Sequence, residues 1–373
     1  MVQWQNKRTQ EYGKMEKRLR EFDFIRAFAA LSVVAIHVTA GYLAVNDTAY
    51  AWNQAMRFAV PLFIILSGFL LYHADRGRPP LSYKAFLQKR LQKVLWPYLF
   101  WTVLYVLYSE RSRWGEWLNG DILQPFMLGI KHLIKGTGYV HLYFVLIVLQ
   151  LYVLYPLLKR WLERHAASLL LASLLLTGFA QTMIYLHQLQ VLVLPSLWIP
   201  YVSLFPIWLF YFVFGMAAAL YRPGWEKKLQ DRIFALALAW LVSFALLLVD
   251  SRYTQTYASS IKPSVMLFSF CSYFFFYMIA LRVKGTRLII GRWMDWLSTH
   301  SFMIFLLHPL MLGLLTRYAA KLWTGTIGMV LLFIATTLST AAVAYLLSFV
   351  PSSTWIGGVY QKKQQMEQQR ASG

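Results

Sequence analysis

The chain has 373 residues, 58% of them hydrophobic and only 14% charged, with a mean hydropathy of +0.49. Soluble domains are about a quarter charged, so this composition excludes an ordinary soluble fold and suits a chain whose solvent is lipid. The 36 Lys and Arg against 15 Asp and Glu leave a net charge of +21, which in such a chain points to cytoplasmic loops and not to nucleic acid, while a single cysteine, Cys271, excludes a disulfide framework or a thiolate metal site.

A spanning helix needs about 20 mostly apolar residues. In chain order the candidates are 22–43, 53–72, 95–109, 141–158, 167–186, 203–221, 233–249, 263–281, 296–316 and 325–348. The expected fold is therefore all-α, a polytopic membrane protein of about ten transmembrane helices. The first run, Phe22 to Leu43, is longer than a signal-peptide core of about 7–15 residues and contains Arg26, so no cleaved signal is expected. The third run is short and is expected to extend back into the amphipathic stretch before it. Segment 121–133 is too short to span and reads as an interfacial or re-entrant helix. No repeat period is evident, which argues against a repeat-built transporter.

Loop charge orients this map. With the N-terminus inside, 26 basic residues fall on inner segments and eight on outer loops, while Arg26 and Arg57 lie within helices. That alternation predicts a basic cytoplasmic segment at 1–21, a transmembrane domain at 22–348 and a cytoplasmic tail at 349–373.

Ionisable residues within spans are costly, so each is a functional candidate unless it anchors at the headgroups or is satisfied by another helix. In the first helix Arg26 and His37 are 11 positions apart, three turns plus roughly 20°, so they share a face and stand roughly 16 Å apart along the axis. Asp23 lies one turn before Arg26 and is placed to pair with it. Arg57 falls about one turn into the second helix, at the depth of His37. Ser67 and Gly68, further along, read as close-packing residues. Lys89, Arg90 and Lys93 line the inner end of the amphipathic stretch, where anionic lipid or a phosphate would be met. His141 opens the fourth span and His308 sits in the outer half of the ninth. His300 and His187 read as interfacial. The polar residues thus gather at two depths: His37, Arg57, His141 and His308 outside, Asp23, Arg26, Lys89, Arg90 and Lys93 inside. Group transfer between a phosphate-bearing cytoplasmic donor and an external acceptor would need such a layout.

These residues resemble the acyltransferase-3 family. Its first-helix signature of an arginine, ten residues and a histidine matches Arg26 to His37, preceded by the acidic Asp23. Its second-helix stretch matches RFAVPLFIILSG, its basic cluster before a proline matches KRLQKVLWP, and its HLWFL element matches HLYFV, with Tyr143 in place of tryptophan. A further serine-to-histidine-proline element matches SFMIFLLHP, from Ser301 to Pro309. The resemblance runs in order from about residue 21 to 320. It implies a ten-helix membrane domain in a bacterial plasma membrane that O-acylates an extracytoplasmic carbohydrate, with acetyl- or succinyl-CoA as donor and no metal. Polysaccharide synthesis machinery is the implied partner, and single-domain exopolysaccharide O-succinyltransferases are closest in layout. Lys93 stands where the family has a second arginine, which weakens bidentate phosphate binding there.

On this reading His37 is the general base, or else the residue that accepts the acyl group, and Arg57 or His141 supplies hydrogen bonds to the oxyanion. Arg26 and Arg90 hold the donor phosphates. The rival reading is a polysaccharide exporter or another transporter, which explains buried charges equally well but not the family motifs.

Overall fold

The structure, a computed structural model, describes residues 19–79, 82–120, 123–283 and 289–361. Most of the basic N-terminal segment and the end of the tail lie outside those residues. Every regular element among the described residues is helical. In order they are α1 (Arg20–Ala40), α2 (Asp47–Ala55), α3 (Ala59–Asp75), α4 (Tyr83–Ser109), α5 (Trp114–Asn119), α6 (Leu123–Lys135), α7 (Tyr143–Gln188), α8 (Leu209–Leu220), α9 (Arg222–Leu229), α10 (Ile233–Thr254), α11 (Pro263–Val283), α12 (Ile289–Tyr318) and α13 (Gly325–Leu347). Among the described residues seven helical segments are long and apolar enough to cross a membrane, with α2 and α3 counted as one. The protein is an all-helical, multi-pass membrane protein.

The packing follows lipid logic. Helix α1 is central, packed by α3, α11, α12 and α13, and it buries residues around most of its circumference. At the periphery the pattern inverts. The inward stripe of α10 is Ser243, Leu247 and Ser251, while Phe234, Leu238 and Val249 point outward. In α13 the inward stripe is Gly328, Leu332, Thr336, Thr340 and Ala344. Hydrocarbon offers no penalty to apolar side chains, so small and polar residues at i, i+4 spacing do the packing.

The closest approach is between α3 and α8. A Cβ on Gly68 would lie 2.1 Å from the Phe212 carbonyl oxygen, and one on Gly215 would lie 2.0 Å from that of Ile65. Only glycine permits two backbones to meet this way.

Helix ends depart from the expected spans for identifiable reasons. The short third span is the C-terminal part of α4, which continues back to Tyr83 through Pro97. Spans four and five are one 46-residue helix, α7, broken at His165 (φ −143°, ψ 60°). At 1.5 Å per residue α7 measures about 69 Å, more than twice a hydrocarbon core of about 30 Å. The second span breaks at Met56–Phe58 and reaches outward to Asp47. The sixth begins late: Pro200 and Pro206 hold 201–207 in two 3₁₀ turns before α8 starts. Of the segment 121–133, the described part from Leu123 belongs to the separate short helix α6, which buries none of its residues fully, while 121–122 lie outside the described residues.

Candidate active site

Four residues from four parts of the chain meet at one end of the bundle. His37 occupies the last turn of α1. His308 lies in α12 immediately before Pro309. Proline has no N–H for the Phe305 carbonyl, which loosens the helix there. Nδ1 of His308 lies 3.0 Å from the Ile304 carbonyl. A carbonyl only accepts, so the proton sits on Nδ1 and the lone pair of the neutral ring is on Nε2. That Nε2 is buried and unpaired among the described residues. The ring centroids of His37 and His308 are 5.2 Å apart, and those of His141 and His308 5.7 Å.

His141, just before α7, is 2% exposed, and neither ring nitrogen has a hydrogen-bond partner among the described residues. Tyr105 and Phe305 wall its ring at 5.2 and 5.1 Å. The neighbouring Leu306 carbonyl already accepts from the Tyr105 hydroxyl at 2.7 Å. Buried polar nitrogens are nearly always paired in folded proteins, so a cluster of unpaired ones marks a candidate site for chemistry.

Arg57, 5% exposed, enters from the break between α2 and α3. It donates to the Ala258 carbonyl at 2.9 Å, to Ser260 Oγ at 3.4 Å and to Asn53 Oδ1 at 2.5 Å. These partners are neutral oxygens, so the guanidinium charge remains available to a developing anion. His37, Arg57 and His141 line one cavity of about 580 Å³, closed by Tyr143, Phe144 and the loop from Gln255 to Ile261. That volume lies within the range of about 300–1,000 Å³ typical of small-ligand sites. His308 stands behind the two histidines.

A buried hydrogen-bond network holds this end rigid. Asn53 Nδ2 donates to the Ile36 carbonyl at 3.0 Å and to Thr39 Oγ1 at 2.9 Å, both on the turn that carries His37. Its Oδ1 accepts from Arg57 and from Gln54 Nε2. Gln54 Oε1 accepts from Ser251 Oγ at 2.9 Å, which in turn accepts from Lys262 Nζ at 2.6 Å. Lys262 pairs with Asp250 at 3.3 Å. Burial pushes the Lys262 ammonium below its ordinary pKa range, and the Asp250 carboxylate works against that shift. The chain of bonds runs from an ion pair on α10 and its following loop to both Arg57 and the backbone of α1.

The inner-face residues are more dispersed. Asp23 is buried and accepts from Ser298 Oγ at 2.8 Å, tying α1 to α12, with Arg26 at 4.0 Å. Arg26 on α1 and Arg90 on α4 both lie within electrostatic reach of Tyr152 on α7. Lys89 and Lys93 are exposed on α4. Among the described residues no group of three His, Cys, Asp or Glu side chains is placed to hold a metal ion.

The sequence profile of the acyltransferase-3 family, an acyltransferase domain, matches residues 19–349. The chain belongs to that family. It is also 24% identical over 369 residues to the Bacillus subtilis (strain 168) protein named "Putative membrane-bound acyltransferase YfiQ", covering 93% of this chain and 96% of that one. No solved structure matches the chain. The protein is thus a membrane-bound acyltransferase.

Within this acyltransferase the structure brings His37, Arg57, His141 and His308 together, and it sets Arg26 and Arg90 each within electrostatic reach of Tyr152. Three readings needed the fold. Asn53 and Gln54 are adjacent polar residues at the head of an apolar run, a signal present in the sequence but passed over. Lys262, one of the eight basic residues counted on the expected outer loops, is fully buried. His300 was expected at the interface; it is 3% exposed and stacks on Trp296 at 4.2 Å, because α12 begins at Ile289 and not at 296.

Proposed function

We propose that this acyltransferase moves an acetyl or succinyl group from acyl-CoA at the cytoplasmic face of a bacterial plasma membrane to a hydroxyl of an extracytoplasmic carbohydrate, such as a cell-surface polysaccharide. The observation that carries this reading is the shared cavity of His37, Arg57 and His141, backed by His308, at the end of α1 opposite Arg26. Arg26 and Arg90 supply cations for the donor's phosphates, and the extended pantetheine arm has roughly 16 Å of α1 to span.

The proposed step is acyl transfer from sulfur to oxygen. A nitrogen of His37 takes the proton of the acceptor hydroxyl as that oxygen attacks the thioester carbonyl. A new C–O bond forms, and the carbonyl oxygen becomes an oxyanion that Arg57 stabilises by donating N–H. The C–S bond then breaks. The CoA thiolate takes the proton back from the imidazolium, leaving an ester and free CoA. His308, whose ring centroid lies 5.2 Å from that of His37, shares that proton through its unpaired Nε2.

Ten crossings with both termini cytoplasmic remain the arrangement that best fits the helices. The seven long apolar segments become ten if α7 crosses twice about His165 and if α4 and the short α8 also cross. The charge alternation then holds throughout. Single cysteines introduced at 76–79 should resist an impermeant thiol reagent in intact cells and those at 192–198 should react; the reverse result would invert the orientation.

The functional test uses purified protein in lipid nanodiscs, radiolabelled acetyl- or succinyl-CoA and envelope glycans extracted from the native host. The expected product is base-labile label on glycan. Label released only as free acid, with none on any glycan fraction, would remove the carbohydrate acceptor.

A further inference from the structure

A second hollow of about 370 Å³ adjoins the cavity at His37, and Val140, Tyr143 and Val202 line both. The second hollow lies between the end of α4, the end of α6 and the turn at 200–203. Its shape is fixed by the fold. Gly136 sits at φ +70°, and a Cβ on Gly138 would meet the Thr102 side chain at 2.7 Å. The Tyr98 hydroxyl donates to the Leu133 carbonyl at 2.5 Å and Ser203 Oγ donates to the Lys135 carbonyl at 3.1 Å, so the end of α6 that leads into the loop before α7 is tied to α4 and to the turn at 200–203.

The lining has a specific chemistry. Tyr139 is stacked on Tyr105 at 4.4 Å and 20°, which fixes the plane of its ring. Glu110 is held by Arg113 at 3.2 Å, and a carboxylate bonded once keeps acceptor capacity for hydroxyls. His132 also lines the hollow, and with its Nδ1 occupied by Thr137 Oγ1 at 2.9 Å its other ring nitrogen is left for a ligand. Fixed aromatic rings beside a few spaced polar groups suit a ligand with an apolar ring face and several hydroxyls. A phosphate would be opposed by Glu110, and an acyl chain would leave Glu110 and His132 unpaired. We propose that this hollow binds the sugar unit adjoining the one acylated at His37, so that the acceptor is a saccharide chain threaded along both hollows. The inference rests on the reading of the protein as a carbohydrate O-acyltransferase and names the subsite that would select its acceptor.

The test replaces the chromosomal gene in the native host and uses two readouts. One is base-labile acyl ester on envelope glycans, made on the host's own acceptor. The other is acyl-CoA hydrolysis by the purified variant in nanodiscs, in which water replaces the acceptor. Ser109→Trp, which fills the hollow from the end of α4, should lower the glycan ester by about tenfold or more and leave hydrolysis within about twofold of the parent. Glu110→Gln should lower the ester less, and Ser109→Ala should match the parent in both. Unchanged glycan ester in the tryptophan and glutamine variants would overturn the subsite. So would an equal fall in both readouts, which would assign these residues to folding or to the chemical step. A gene deletion that leaves the envelope ester unchanged would instead remove the carbohydrate reading itself, and the subsite with it.

Discussion

Asn53 holds Arg57 by a 2.5 Å hydrogen bond from the guanidinium to its Oδ1, while its amide N–H groups hold the turn of α1 that carries His37. One side chain thus uses all four of its hydrogen-bonding positions to set a cation and a candidate base relative to each other. The amide acts through Arg57 and makes no direct claim on the reacting atoms.

That relationship predicts a non-additive double-mutant cycle. Asn53→Ala should lower kcat by about tenfold or more with little change in donor KM, because it loosens a group that matters in the transition state. In an Arg57→Ala background the same change should cost clearly less, leaving only the effect of loosening the turn that carries His37. Full additivity would mean that Asn53 serves only the fold. Asn53→Ser, which removes less buried surface, provides the comparison if the alanine variant expresses poorly.

The crossing of α3 and α8 predicts a stability effect away from the chemistry. Gly68→Ala and Gly215→Ala each force a methyl into an opposing backbone carbonyl. Each should lower the thermal unfolding midpoint in detergent, at a cost of about 1–3 kcal/mol or more. Alanine at Gly129, half-buried on α6 where a Cβ meets nothing within 4 Å, should leave the midpoint unchanged or slightly raised by the same assay.

At the inner face, Arg26→Ala and Arg90→Ala should raise the apparent donor KM. Charge-assisted bonds are worth about 1.5–3 kcal/mol, which corresponds to roughly 10–150-fold. Lys89→Ala, on an exposed position of the same helix as Arg90, should have a smaller effect. A donor KM unchanged in both arginine variants would take them out of the donor site.

How much of this was legible in the sequence follows from the solvent. The helical class and most spans could be read from hydropathy, because lipid demands long apolar runs. Their ends could not, since they are set by Pro200 and Pro206 ahead of α8, by the kink at His165 and by the turn at Met56–Phe58. The histidines and Arg57 stood out because charge is rare in such runs. Asn53, Gln54 and Lys262 did not, because their meaning lies in partners on other elements, such as Ser251 and Tyr257 for Gln54. Nor does an inward stripe such as Gly328, Leu332 and Thr336 carry a hydrophobic signal, since in lipid the packed face is the less apolar one.

His37 gives the most direct test of the account. His37→Gln keeps hydrogen bonding and most of the volume but cannot carry a proton between acceptor and leaving group. Single-turnover transfer of radiolabelled acyl group from acyl-CoA to host glycan should fall by about 10²–10⁴ in this variant. Its thermal midpoint and donor binding should stay at parental values. A folded His37→Gln protein that transfers the acyl group at close to the parental rate would contradict the account and move the base to His308 or His141.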